Sequence, residues 1–485
     1  MSRKIIGPFN RVEGDLEVQV DLVDGRVEDA WVVSPLYRGF ERMLIGKSPQ
    51  DSLVYTPRIC GICSVSQSVA AAKALQMAQG LEMPENGQLS QNLVLAAENI
   101  ADHLTHFYLF FMPDFCRKTY ANEPWFERIF SRFQAIRGKA AKDVLEARAE
   151  FMHCLGLLAG KWPHSLAIQP GGSTKMIERP DQMRLIAILQ SFRGFLEDTL
   201  FGSSLEDVVS LSSISAMKAH FSGGAAAASD FGQFLEISEK LDLISLGAGP
   251  DLFMSYGNYT DHNGNLFYPS GTYQNGKFSS LDQSGIAEDV SHSWVAAQGQ
   301  ALHPYDGATV PDADQAQGYS WCKAPRLKSA PAEVGALARH LVADLPLFKE
   351  LTNSGRGNVE ARIVARLFEI AESVMAMEAW VRELKPKQPV CAHGSMDKET
   401  EGYGLVEAAR GALGHWVKVS KGRIINYQII APTTWNFSPR DASGQPGPLE
   451  MALIGASLRE GEADQPVAIQ HIVRSFDPCM VCTVH

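Results

Sequence analysis

Residues 57–79 read PRICGICSVSQSVAAAKALQMAQ, and the fold turns on them. Two cysteines, Cys60 and Cys63, stand with two residues between them in a loop opened by Pro57. The stretch from Ser64 to Gln79 is rich in alanine and free of proline and glycine, which predicts a helix starting directly after Cys63. A second pair, Cys479 and Cys482, lies in Asp477-Pro478-Cys479-Met480-Val481-Cys482-Thr483-Val484-His485. Two residues between thiolates let both reach one metal ion, and two such pairs make a complete soft-ligand set. A structural zinc site usually has its pairs 15–20 residues apart. Here they stand at opposite ends of the sequence. Two independent redox pairs would each need a thioredoxin-like βαβ setting, and neither has one.

Outward from these pairs the sequence is mostly helical. Apolar residues recur at three- and four-residue spacing over 90–112, 126–159, 180–200, 331–350 and 358–385. Alternation from Leu16 to Val33 about Asp24-Gly25 predicts a hairpin. A second strand pair is predicted over 415–430, turning at Lys421-Gly422, and a last helix over Pro466 to Ser475. The segment 246–328 is rich in Gly, Tyr, Asn, Asp and Ser and predicts loops and short strands. The expected fold is α+β and predominantly helical, a central helix bundle with small peripheral antiparallel sheets, in one domain over 1–485.

Composition narrows the function. Lys plus Arg number 44 and Asp plus Glu 55, so the net charge is 44 − 55 = −11 over 485 residues. No basic cluster stands out, which argues against nucleic acid and anionic membrane as partners. No signal-like N-terminus and no long apolar run appear, so direct membrane insertion is not expected and a cytoplasmic chain is. Cys116, Cys154, Cys322 and Cys391 are isolated and receive no role.

The cysteine loop and the tail resemble the two signature motifs of nickel–iron hydrogenase large subunits. Further motifs follow in family order: Asn10-Arg11-Val12-Glu13-Gly14, Arg38-Gly39-Phe40-Glu41, and Asp102-His103 with His106-Phe107-Tyr108. Tyr319 through Arg326, Glu407 through Trp416, and Pro432-Thr433-Thr434-Trp435-Asn436 complete the set. The resemblance implies heterolytic cleavage of H2 by a hydrogen:acceptor oxidoreductase. All four cysteines would bind nickel, with Cys63 and Cys482 bridging to an iron that carries CO and cyanide. Cys479 would take the proton and Glu13 would pass it on. Arg410 would be held by Asp102 and Asp477, and Pro432 and Thr433 would hydrogen-bond a cyanide. Glu41, His485 and the backbone of Ile429 would bind magnesium. Ile62 and Phe110 would line the gas route; Phe110 is eight residues beyond Asp102, two turns along one predicted helix face. His103, His106 and His415 are read as structural or supporting. No further cysteine set could hold a cluster, so an iron–sulfur small subunit is implied as a heterodimer partner.

Three positions depart from the family pattern. Gln67 stands where the first motif usually ends in His, Ala409 where many members have Pro, and Asp15 where His is usual. Gln67, together with a sequence ending at His485, resembles the regulatory, hydrogen-sensing branch. That implies slow turnover and signalling to a histidine kinase. The alternative is a processed uptake hydrogenase feeding electrons to a redox chain. A third reading, the related quinone-binding subunit of respiratory complexes, is disfavoured because that relative lacks the cysteine pairs.

Overall fold

The computed structural model describes residues 2–352, 355–458 and 466–485. Its framework is helical. The Glu85–Thr105 helix packs along the 25-residue Val359–Glu383 helix, and Arg179–Phe195 packs against the latter. The main hydrophobic core draws on residues from Ile6 to Cys482, and a smaller cluster gathers around Trp416 and Trp435. Small antiparallel sheets lie around this framework, as the sequence pattern predicts.

The helix expected after Cys63 spans Ser64–Gln79. Its alanines have a local reason. Strand Thr400–Ala408 lies so close that a Cβ on Gly404 would come within 2.0 Å of the Ala70 carbonyl oxygen, and one on Gly402 within 2.2 Å of that of Ala74. Small residues on both elements allow the contact, which fixes the helix and the cysteine loop at its head. The strand pair predicted near 415–430 is therefore three-stranded: Thr400–Ala408, Gly411–Ser420 and Arg423–Ile430. Its first strand escapes pattern reading because glycine normally weakens a strand and often marks close backbone approach. Likewise, Ser2–Ile6 adds a strand to the predicted hairpin, Glu17–Val23 and Arg26–Val33.

Other long helical expectations are subdivided. The 126–159 segment forms Phe126–Phe133, Lys139–Phe151 and His153–Ala159, broken first where Ile136 turns left-handed. The 331–350 segment begins only at Ala336, because Gly335 adopts a φ of 130° against the Arg410 carbonyl. It breaks again before Pro346. The 90–112 segment starts earlier, at Glu85, and after Thr105 widens into a π-helical turn, His106–Phe111. The last helix spans Val467–Ser475.

Candidate metal centre

The last helix ends at Ser475, and Asp477 adopts a left-handed φ of 55°, which turns the tail inward. Cys479 then forms a parallel β-bridge with Glu13. The Met480 N–H donates to the Glu13 carbonyl at 2.7 Å, and the Glu13 N–H to the Pro478 carbonyl at 3.4 Å. Gly14, at φ 85°, lets the two segments meet: a Cβ there would sit 3.1 Å from Met480. The Arg38 guanidinium donates to the carbonyls of both Ile59 and Val481, tying one cysteine loop to the other.

This arrangement brings Cys60, Cys63, Cys479 and Cys482 together, with all four sulfurs within 4.8 Å of one another and buried. Sγ separations are 3.0 Å for Cys63–Cys482, 3.0 Å for Cys479–Cys482 and 3.5 Å for Cys60–Cys479. These far exceed a disulfide bond, and every cysteine is a free thiol. Hydrogen bonds from Cys479, Cys482 and Cys63 pull the Cys60 thiol well below its ordinary value. Bonds to Cys479 and Cys482 push Cys63 up, and burial pushes Cys482 up. Four thiols this close cannot all ionise without a cation among them, and a soft divalent metal supplies that charge. The donor set therefore fits a thiolate-bound metal.

The surrounding groups are charged and buried. Arg410 holds Asp102 with both terminal nitrogens, donates to an Asp477 carboxylate oxygen at 3.1 Å, and donates through Nε to the Asp477 carbonyl at 2.8 Å. Burial lifts the Asp102 carboxyl to about 7 despite this pairing. Burial also works to raise Asp477, but Arg410, His106 and Arg366 outweigh it and hold that carboxyl below its ordinary value. The other Asp477 oxygen, Oδ2, has no hydrogen-bond partner. Glu13 is half-buried; burial first, and then Cys60, raise its carboxyl. Thr433 accepts the Cys479 N–H at 3.1 Å, and Pro432 opens the short helix that carries Thr433.

A second cluster lies three residues past Cys482. His485 Nε2 is 2.7 Å from the Ile429 carbonyl oxygen and 3.4 Å from Glu41 Oε1, which also accepts the Ile429 N–H at 2.8 Å. The Lys323 ammonium is 3.6 Å from Glu41 and donates to Glu288 at 2.6 Å and Gln428 at 3.0 Å. Burial alone would raise Glu41, but Lys323 and His485 hold its carboxyl at about 2. Glu41 Oε2 and Glu288 Oε1 are buried without partners. A carboxylate, a carbonyl and an imidazole with spare oxygens suit a hard divalent cation. Sequence reasoning did not find Glu288, Gln428 or Arg38 as site residues. Arg38 and Lys323 stand within motifs without a role of their own, and Glu288 sits in the irregular segment where no periodicity marks it.

The histidines take supporting places. His103 faces Glu369 at 3.3 Å, and His106 meets the Arg474 carbonyl at 2.6 Å. His415 is held between Tyr427 at 2.9 Å and Gln67 at 2.8 Å. Gln67 begins the second turn after Cys63, and its amide nitrogen has no partner. Ile62 packs against the main core. Phe110 lies within the π-helical turn that follows the Glu85–Thr105 helix. The rotation per residue is smaller there than in an α-helix, which brings an eight-residue step from Asp102 nearer to two whole turns. Phe110 is partly exposed, and its carbonyl accepts from Arg11 at 3.3 Å.

Comparison with known proteins bears on this geometry directly. The family model described as nickel-dependent hydrogenase matches residues 38–124 and 142–485. The periplasmic [NiFeSe] hydrogenase large subunit of Desulfomicrobium baculatum is 30% identical, over 99% of this chain and 94% of that one. The uptake hydrogenase large subunit of Rhodobacter capsulatus is 26% identical, over 100% and 95%. The quinone-reactive Ni/Fe-hydrogenase large chain of Wolinella succinogenes is 26% identical, over 100% and 96%. Among solved structures, the Ni-Fe-Se hydrogenase from D. vulgaris Hildenborough in the reduced state superposes with a TM-score of 0.85 at 30% identity, covering 100% of both chains. Family match, full-length relatives and fold agree with the four-thiol centre: this chain belongs to the nickel-dependent hydrogenases and has the fold of their large subunits.

Proposed function

We propose that this chain is the large subunit of a hydrogen-oxidising nickel–iron hydrogenase, feeding electrons through an iron–sulfur small subunit to a redox chain. The carrying observation is four buried thiols within 4.8 Å of one another, bridged through the main chain to Glu13. Cys60 and Cys479 would be terminal ligands of nickel. Cys63 and Cys482, 3.0 Å apart, would be shared with an iron carrying CO and cyanide. That centre, when bound, would supply the acceptor for the hydride when H2 is cleaved heterolytically. The chain's own residues handle the proton and the charge. Cys479 takes the proton at Sγ. Glu13 receives it, because burial brings its carboxyl nearer the working range. Arg410, fixed by Asp102 and Asp477, holds positive charge beside the sulfurs. Thr433 accepts the Cys479 N–H, and Pro432 and Thr433 would hydrogen-bond a cyanide. Glu41, His485 and the Ile429 carbonyl would hold magnesium.

The named relatives include uptake and quinone-reactive enzymes, which favours hydrogen oxidation coupled to an acceptor over hydrogen sensing. No hydrogen sensor is among them, and nothing supports a histidine kinase partner. The sensory reading now rests on Gln67. Among the described residues no helix is long and apolar enough to cross a membrane. The cytoplasmic location and the single domain over 1–485 belong to the proposal; cell fractionation and a single unfolding transition would support them. The deciding test is anaerobic purification with the small subunit. Comparable nickel and iron, infrared bands of CO and cyanide, and fast hydrogen-dependent dye reduction are expected. Stoichiometric zinc without nickel would overturn the metal reading. Turnover too slow to sustain a redox chain would return the sensory one.

A further inference from the structure

Helix Ser64–Gln79 begins on a metal-site cysteine. Cys63 is its N-cap, yet its side chain makes no capping bond. In ordinary capping, the N-cap side chain accepts the N–H of the second or third helical residue, here Val65 or Ser66. Both N–H groups are instead taken by Glu98, from a different helix. The Val65 N–H donates to Glu98 Oε2 at 2.8 Å, and the Ser66 N–H to Oε1 at 2.8 Å. The Ser66 hydroxyl adds 2.9 Å to Oε1, and the indole N–H of Trp162 adds 3.0 Å to Oε2. Glu98 is 2% exposed.

Burial pushes the Glu98 carboxyl up to about 7. Three of its partners, two peptide N–H groups and an indole, can only donate. They leave the oxygens acting as acceptors, which is the carboxylate form. That negative charge also faces the positive end of a 16-residue helix. Glu98 sits one helical turn before Asp102, so two buried carboxylates lie on one face of the Glu85–Thr105 helix. Asp102 holds Arg410, while Glu98 holds the head of the helix that starts at Cys63.

We propose that Glu98 is a positioning residue for the metal centre. By taking the Val65 and Ser66 N–H groups it keeps these donors off the Cys63 sulfur, whose lone pairs stay free for the two metals. The inference rests on the four-thiolate reading of the centre. Hydrogen bonds to a ligating sulfur weaken its donation to the metal and shift the electronics of the site. Losing Glu98 should therefore turn the two N–H groups toward Cys63.

The test is Glu98→Gln in the heterodimer, read by infrared spectroscopy and metal analysis. The expected result is nickel and iron at parent levels with the CO and cyanide bands moved to higher wavenumber. Ser66→Ala, which removes only the hydroxyl, should leave the bands in place. Glu98→Asp keeps the charge with a shorter reach and should give a smaller shift in the same direction. It also reads the same quantity if Glu98→Gln does not accumulate. Bands superimposable on the parent in either metal-loaded Glu98 variant would overturn the proposal. So would a folded chain that loses nickel in both, which makes Glu98 an assembly element instead. Absence of the bands from the parent would sink the metal reading itself, a distinguishable failure.

Discussion

Residues 477–485 serve two buried clusters whose chemistry is opposite. Cys479 and Cys482 complete a set of four soft sulfurs, while His485 joins a carboxylate and a carbonyl. Charge is managed differently at each. At the sulfurs, one guanidinium is shared between two carboxylates, and Asp477 keeps a spare oxygen. At the histidine, one ammonium lies among Glu41, Glu288 and Gln428, and two carboxylate oxygens are spare. The soft cluster is built for a cation that binds thiolates, the hard one for a cation that prefers oxygen. On the proposed reading, two metals would be sorted by ligand type alone within a single stretch of chain.

If that sorting is real, the clusters should fail separately. The largest effect belongs to Cys479→Ser: nickel should fall to background by metal analysis while magnesium is retained. Joint loss of both metals would merge the clusters into one unit. Glu13→Gln keeps shape but removes the titratable group. It should cut hydrogen–deuterium exchange by about 10²–10⁴-fold, the usual worth of a positioned acid–base group, with both metals in place. Unchanged exchange would send the proton by another route.

Arg410→Ala leaves Asp102 and Asp477 buried without the guanidinium that hydrogen-bonds both. It should cost about 3–5 kcal/mol of stability by denaturant unfolding, as breaking a buried pair does. A cost near zero would mean that water reaches the carboxylates. Glu288→Gln alters only a partner of Lys323 at the hard cluster. Magnesium affinity should fall about 10–100-fold, as for outer-shell substitutions, with nickel content unchanged. The smallest effect is expected from Ile62→Val with Phe110→Leu. Hydrogen oxidation without oxygen should be unaltered, and inactivation by added oxygen should be faster. If the double variant resists oxygen as the parent does, protection lies in the chemistry of the centre and not in a narrow passage.

How much of this could be read from the sequence differs between the clusters for the same reason. Thiols at C-x-x-C spacing announce themselves, and the helix after Cys63 shows the expected alanine pattern. Besides His485 and the Ile429 carbonyl, the hard cluster draws on Glu41, Glu288, Lys323 and Gln428, which are ordinary surface residue types that gain meaning only by burial. Glu41 and Lys323 stood inside recognisable motifs, whereas Glu288 had no local mark. Periodicity found the long helices but not their interruptions. Neither the π-helical turn after Thr105 nor the left-handed Ile136 leaves a pattern in residue types. The strand Thr400–Ala408 was hidden by the glycines that let it touch the alanine helix.

The main-chain bridge between Glu13 and Cys479 joins parts of the chain more than four hundred residues apart. Closing so long a loop carries an entropic cost, which the packing of the intervening chain offsets. This tail carries two of the four sulfurs, and the Cys60 loop carries the other two. A metal bound by all four sulfurs would join these two segments and favour the folded form by mass action. Nickel would then act as a clasp as well as a reaction centre. Amide protons at residues 479–482 should exchange fastest in metal-free protein and slow when nickel is inserted, a signature readable without hydrogen or any turnover.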